Sequence, residues 1–88
     1  MFYTYVLLCN DDKISRHRFY VGSTGDLVNR LKEHKNGETK TTKSFKSITL
    51  IYYEACLNKT DARKRELQLK TGFGRGYLRR RLGDYLKK

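Results

Sequence analysis

The stretch Phe19-Tyr20-Val21-Gly22-Ser23-Thr24-Gly25-Asp26-Leu27-Val28-Asn29-Arg30-Leu31-Lys32-Glu33-His34 decides how the rest of the chain is read. Phe19, Tyr20 and Val21 favour a strand, Gly22 and Gly25 interrupt it, and Thr24 or Asp26 is placed to cap a helix starting near Leu27. The segment therefore predicts a strand running through a glycine turn into a helix. At about 100° of turn per residue, Leu27, Leu31 and His34 fall within about 60° of one another, with Arg30 about 40° beyond His34. The buried stripe carries a histidine and borders an arginine. Periodicity alone is also served by a core-edge imidazole bonded to a backbone carbonyl, with Arg30 as a solvated flank paired to Glu33 or Glu38.

Upstream, residues 1–9 are aromatic and β-branched and predict a central strand, apolar on both faces. Asn10, Asp11 and Asp12 supply turn chemistry over residues 10–15, and residues 16–21 return as a second, antiparallel strand. A hairpin closing symmetrically about Asp12 and Lys13 puts Tyr5 directly opposite Tyr20, about 5 Å away on one face. A register shifted by one would separate them. Downstream of a helix over residues 27–35, Asn36-Gly37 is a stop signal, and residues 38–46 read as a mobile basic loop rich in Thr, Ser and Lys. Residues 48–56 predict a third strand, most simply beside the first.

Asn58 or Thr60 caps a further helix over residues 61–71, ended by Gly72. Ala62, Glu66 and Leu69 share an arc of about 60°, so Glu66 lies in the stripe that should face the core. Ion pairs with Arg63, Lys64, Arg65 or Lys70 are one explanation of a carboxylate there; a metal ligand at the rim of the sheet is the sharper one. Residues 72–76, Gly-Phe-Gly-Arg-Gly, read as a flexible joint into a basic helix over residues 77–86 with Leu78, Leu82 and Tyr85 or Leu86 at helical spacing. The Gly-Phe-Gly fragment lacks the β-branched flanks of an RNA-recognition strand.

With 88 residues the chain is expected to form one small domain over residues 1–88, burying about 60 to 65% of its unfolded surface. Twenty Lys and Arg against nine Asp and Glu leave a formal charge of +11, which favours a polyanionic partner. No apolar run approaches the roughly 18 residues of a spanning helix and no signal segment opens the chain, so membrane partners are set aside. The expected location is cytoplasmic, in contact with the nucleoid. Cys9 and Cys56 lack partners at zinc spacing and are expected to be reduced core thiols.

Over about residues 2 to 82 the chain resembles the GIY-YIG nuclease superfamily, specifically its small single-domain branch and the excinuclease N-terminal domain. Tyr3-Thr4-Tyr5 stands in place of Gly-Ile-Tyr, Tyr20-Val21-Gly22 in place of Tyr-Ile-Gly, and Arg30, His34 and Glu66 follow in the family's order. The resemblance implies an α+β fold, a three-stranded antiparallel sheet flanked by helices. It also implies hydrolysis of nucleic-acid phosphodiesters, DNA foremost, with Mg²⁺ or Mn²⁺, in repair or recombination. On that basis Tyr5 is assigned as general base, Tyr20 and His34 as phosphate or water positioners, Arg30 as electrostatic stabiliser and Glu66 as metal ligand, the two tyrosines being exchangeable. A free phenol has a pKa near 10, so Arg30 and the metal are expected to lower it. Lys40, Lys43, Lys46, Lys70, Arg75, Arg79 and Arg80 are expected to contact nucleic acid, and a protein partner to supply substrate choice. No Asn follows Asn58, whereas many family nucleases carry a late active-site Asn. That departure suits an alternative, a non-catalytic nucleic-acid-binding module that recruits a partner.

Overall fold

A computed structural model describes residues 1–11, 16–40, 42–43 and 45–87. Strand β1 (Phe2–Asp11) runs between β2 (Arg16–Thr24) and β3 (Ser47–Cys56), antiparallel to both. Its central place explains why it is apolar on both faces. Tyr5, Leu7 and Cys9 pack with Tyr20, Phe45, Ile48 and Leu50 against Leu27 and Leu31 of α1 (Leu27–Lys35). Val6 and Val21 pack on the other side against Leu69 of α2 (Lys59–Leu69) and Leu78 of α3 (Gly72–Arg81). The result is the expected α+β fold, an open three-stranded antiparallel sheet with helices, closed by the short α4 (Gly83–Leu86). Each fully buried leucine contributes about 1.5–3 kcal/mol.

The hairpin register differs from the symmetric closure. Tyr5 pairs with Gly22, and Tyr20 pairs with Leu7, a shift of two residues. An even shift keeps every side chain on its face, so Tyr5 and Tyr20 still share one side, as diagonal neighbours. The cause is visible at Gly22, where a Cβ would lie 2.5 Å from the Tyr5 hydroxyl. The Tyr5 ring folds over β2 at the one position without a side chain, and β2 continues past it to Thr24. Asn10 and Asp11 lengthen β1 instead of turning, while the rest of the expected turn, residues 12–15, lies outside the described residues. Across β3 an irregularity between Val6 and Leu7 brings Ile51 and Tyr52 onto the same core cluster.

Local capping sets the helix ends. Asp26 Oδ1 accepts the Asn29 N–H at 3.1 Å, and α1 ends as Glu38 N–H reaches the Glu33 carbonyl at 3.0 Å around Gly37 at φ 74°. Asn58 Oδ1 accepts from Thr60 and Asp61, starting α2 at Lys59, ahead of the expected residue 61. Residues 72–76 are not a joint: they open α3, with the Thr71 hydroxyl accepting the Gly74 N–H at 3.0 Å. A Cβ on Gly74 would collide with the backbone of Gln68 and Leu69, so glycine here serves close helix packing rather than flexibility. The expected helix over residues 77–86 accordingly begins at Gly72 and breaks at Leu82.

Three ties fix α2 to the sheet, one of them from Ser23 Oγ to Glu66 at 2.7 Å. Thr4 Oγ1 donates to the Ala62 carbonyl at 2.8 Å. The Arg65 guanidinium forks onto Glu54, Nε to Oε1 at 2.9 Å and Nη2 to Oε2 at 3.0 Å, and lies 5.1 Å above the Tyr77 ring. Both cysteines are free thiols, but only Cys9 is in the core; Cys56 is half-buried at the end of β3 and donates to the Asn58 carbonyl. Among the described residues no helix is long and apolar enough to cross a membrane.

Candidate active site

The shift of two residues sets Tyr5 beneath α1, where the stripe of Leu27, Leu31 and His34 covers it. Tyr5 and His34 are each 1% exposed, and the Tyr5 hydroxyl lies 2.9 Å from His34 Nε2. His34 Nδ1 lies 2.7 Å from Thr42 Oγ1. Arg30, one turn before His34, donates from Nε to the Tyr5 hydroxyl at 3.3 Å and from Nη1 to Glu33 at 2.9 Å. Its Nη2 has no partner among the described residues. The Tyr20 ring stands 5.0 Å from His34 and 6.4 Å from Tyr5, half-buried, with no described partner for its hydroxyl.

Burial dominates the protonation of this group. It raises the Tyr5 pKa, outweighing the hydrogen bond from Arg30, which pulls the other way. Arg30 acts in the expected, lowering direction, but removing the phenolate from water costs more than this one guanidinium returns. Burial, helped by the Arg30 charge, lowers the His34 pKa. Tyr5 is consequently a neutral phenol and His34 a neutral imidazole. A phenol donor needs an acceptor, so Tyr5 donates to Nε2, and the ring proton sits on Nδ1 facing Thr42.

Glu66 comes from α2, on the face opposite α1, yet its charge acts on Tyr5 and it bonds Ser23, next to the Gly22 that Tyr5 covers. It is 3% exposed between Ala62 and Leu69 as its helical spacing predicts. Ser23 Oγ donates to its Oε1 at 2.7 Å, while Arg63 Nη1 at 2.7 Å and Lys70 Nζ at 2.6 Å hold Oε2. Burial pushes its pKa up, but the bonds from Lys70, Ser23 and Arg63 prevail and hold the carboxyl below its usual range. Of the four candidate cations, Arg63 and Lys70 are used; Arg65 is committed to Glu54. Among the described residues no three His, Cys, Asp or Glu side chains gather into a metal cage.

The seven expected nucleic-acid contacts separate into groups. Lys40, Lys43 and Lys46 are exposed on the loop that carries Thr42; Thr42 itself is fully buried on His34, while Thr41 and Ser44 lie outside the described residues. Lys70 sits on Glu66. Arg75 and Arg79 line a cleft against Phe19, and Arg80 is exposed on α3. Sequence reasoning missed Ser23, Thr42 and the steric role of Gly22. Ser23 was accessible, because alternation puts it on the α2 face next to the motif glycine; Thr42, in an aperiodic loop, left no signal.

The model of the GIY-YIG catalytic domain matches residues 1–78. A UPF0213 protein of Pediococcus pentosaceus is 40% identical over 70 residues, 78% of this chain and 68% of that protein. A UPF0213 protein of Clostridium perfringens is 37% identical over 71 residues, 80% of this chain and 71% of that one. One from Staphylococcus epidermidis is 34% identical over 70 residues, 78% of this chain and 79% of its own length. No solved structure gives a significant match.

Proposed function

The chain belongs to the GIY-YIG family, a nuclease family, and from that premise we propose that it is a divalent-metal-dependent endonuclease hydrolysing phosphodiesters, DNA foremost, in repair or recombination. One observation carries the catalytic reading: Glu66, a buried, ionised carboxylate in a chain of net charge +11. A module that only binds phosphates needs cations and gains nothing from a negative charge among them. We take residues 1–88 as one domain working in the cytoplasm at the nucleoid, with a protein partner supplying substrate choice.

A single carboxylate fits Mg²⁺ or Mn²⁺, because Mg²⁺ commonly binds through one or two carboxylates plus water and substrate oxygens. Glu66 would hold the ion beside the Ser23 hydroxyl, with Lys70 and Arg63 giving way. When bound, the metal would supply Lewis-acid stabilisation of the charged phosphate oxygens. Arg30 would add a donor from Nη2 to the same oxygens, since its Nε and Nη1 are tied down by Tyr5 and Glu33.

Of the two tyrosine roles left exchangeable by sequence, burial favours Tyr20 at the attacking water. Tyr5 is enclosed and its proton is directed to His34 Nε2; it orients His34 and Arg30 from behind. Thr42 holds the far side of the imidazole and so keeps Nε2 free to accept.

The deciding experiment incubates the protein with labelled single-stranded, duplex, flapped and branched DNAs and Mg²⁺ or Mn²⁺, beside Glu66→Gln. Cleavage by the wild type and not by the variant is expected. Absence of cleavage on every substrate would leave the binding module, which the missing Asn after Asn58 favours.

A further inference from the structure

We propose that a cleft behind the catalytic face binds an unpaired stretch of the nucleic acid; this rests on the nuclease reading and names the form of substrate it takes. The cleft has a volume of about 980 Å³ and lies against Leu8 of β1 and Phe19 of β2, beneath α3 and α4. Its apolar lining is Leu8, Phe19 and Leu86, and its cations are Arg18, Arg75, Arg79 and Lys87. Among the described residues no carboxylate lines it. Arg75 and Arg79 are four residues apart on α3 and therefore share a helix face. Cations around an aromatic floor match what a single strand presents, phosphates for the guanidinium groups and a base for the ring. A duplex keeps its bases paired inside and has none to offer Phe19.

The cleft also leads somewhere. A narrower one of about 250 Å³ shares Phe19 and Arg75 with it and adds Tyr20 and Lys70. Tyr20 is beside His34, and Lys70 is on Glu66. The two clefts thus form one path along β2, an outer strand of the sheet, from both parts of the candidate catalytic set to the cationic floor. A strand end entering it belongs to a flap, fork or overhang whose junction lies at the catalytic residues.

The test is an anisotropy titration of the full chain with divalent ions chelated, so that binding is read without cleavage. The probes are an oligothymidylate of about 12 nucleotides, a duplex of equal length and the same single-stranded backbone made abasic. The oligothymidylate should bind tighter than either, the abasic strand about tenfold more weakly. Arg75→Gln with Arg79→Gln should weaken the oligothymidylate about tenfold or more and reduce the salt slope by roughly two. Phe19→Leu, which keeps an apolar group on the core, should weaken the oligothymidylate about five- to hundredfold and leave the abasic strand unchanged.

Equal affinity for thymidylate and abasic strands would overturn the proposal, as would anionic vesicles that bind the wild type and lose Phe19→Leu while single-strand binding persists. Should Phe19→Leu fail to fold, the arginine pair and the abasic probe decide. Cleft variants that bind as wild type while Glu66-dependent cleavage persists defeat the cleft alone. The expected binding order without cleavage of any substrate supports the cleft and removes the nuclease.

Discussion

The Tyr5–His34–Thr42 chain and the Glu66 cluster bury polar groups in opposite ways. The first is neutral throughout, two hydrogen bonds linking β1, α1 and the loop after it. The second is ionic, a carboxylate held by Arg63 and Lys70 three and four residues away on its own helical segment, plus Ser23 from β2. A neutral buried chain has no counter-charge to lose and keeps its geometry whether or not a ligand is present. A carboxylate held by two half-exposed cations can exchange them for another cation. The neutral side is therefore expected to govern stability and alignment, and the ionic side to govern chemistry.

Glu66→Gln should break the comparison most sharply. It keeps shape and the Ser23 contact while removing the charge, and cleavage should fall by about two to four orders of magnitude. Nucleic-acid affinity should hold or rise, and the melting temperature should change little. A variant that cleaves normally in a gel assay would end the assignment of chemistry to this cluster.

Next in size are the tyrosines. Tyr20→Phe should lower single-turnover cleavage about a hundredfold or more if its hydroxyl faces the water. Tyr5→Phe should cost less, about tenfold, because it disturbs His34 and Arg30 without touching substrate. The wild-type rate should rise with pH until the base titrates. The reverse ranking of the two variants would place the base at Tyr5 and exchange the roles.

Much of this arrangement is legible in the sequence, for identifiable reasons. The ends of α1 and the burial of Glu66 follow from capping and periodicity, which are local, and the strand order from the preference for simple connections between neighbouring strands. The tyrosine pair stays on one face despite the shifted register because the shift is an even number of residues. What is not legible is steric and non-local. Gly22 yields to a ring from another strand, Gly74 to the backbone of α2, and Thr42 reaches His34 from a loop without a period. Sequence pattern reads both glycines as breaks, although space rather than flexibility is what they provide.

Those two glycines sharpen the contrast. Gly74→Ala and Gly22→Ala should each cost about 1–3 kcal/mol by overpacking, read from denaturant midpoints. Gly22→Ala should also slow cleavage at saturating substrate, because the displaced ring is Tyr5, whereas Gly74→Ala should lower stability alone. Equal activity losses would mean that packing behind α2 reaches the catalytic face.

The smallest effect expected is at Thr42. Thr42→Val keeps the volume and removes the acceptor for His34 Nδ1–H, so unfolding free energy should fall by about 1–2 kcal/mol with cleavage affected mainly through ring orientation. Its acid dependence discriminates further. His34 has a folded pKa below its ordinary value near 6.5. Between the two values the unfolded chain binds more protons, so stability must drop as pH falls below about 6.5. Glu66 acts in a lower window: its depressed folded pKa gives stability that is present above the usual carboxylate value near 4.3 and is lost as pH falls through the folded one. Melting followed from neutral to acid pH should therefore decline in two stages. His34→Gln should erase the upper stage, and Glu66→Gln should shrink the lower, to which Glu54, held down by its bonds from Arg65 and Tyr52, also contributes. A single decline confined to the carboxylate range would show that His34 titrates alike in folded and unfolded chains, contradicting the neutral, enclosed imidazole on which the Tyr5 side depends.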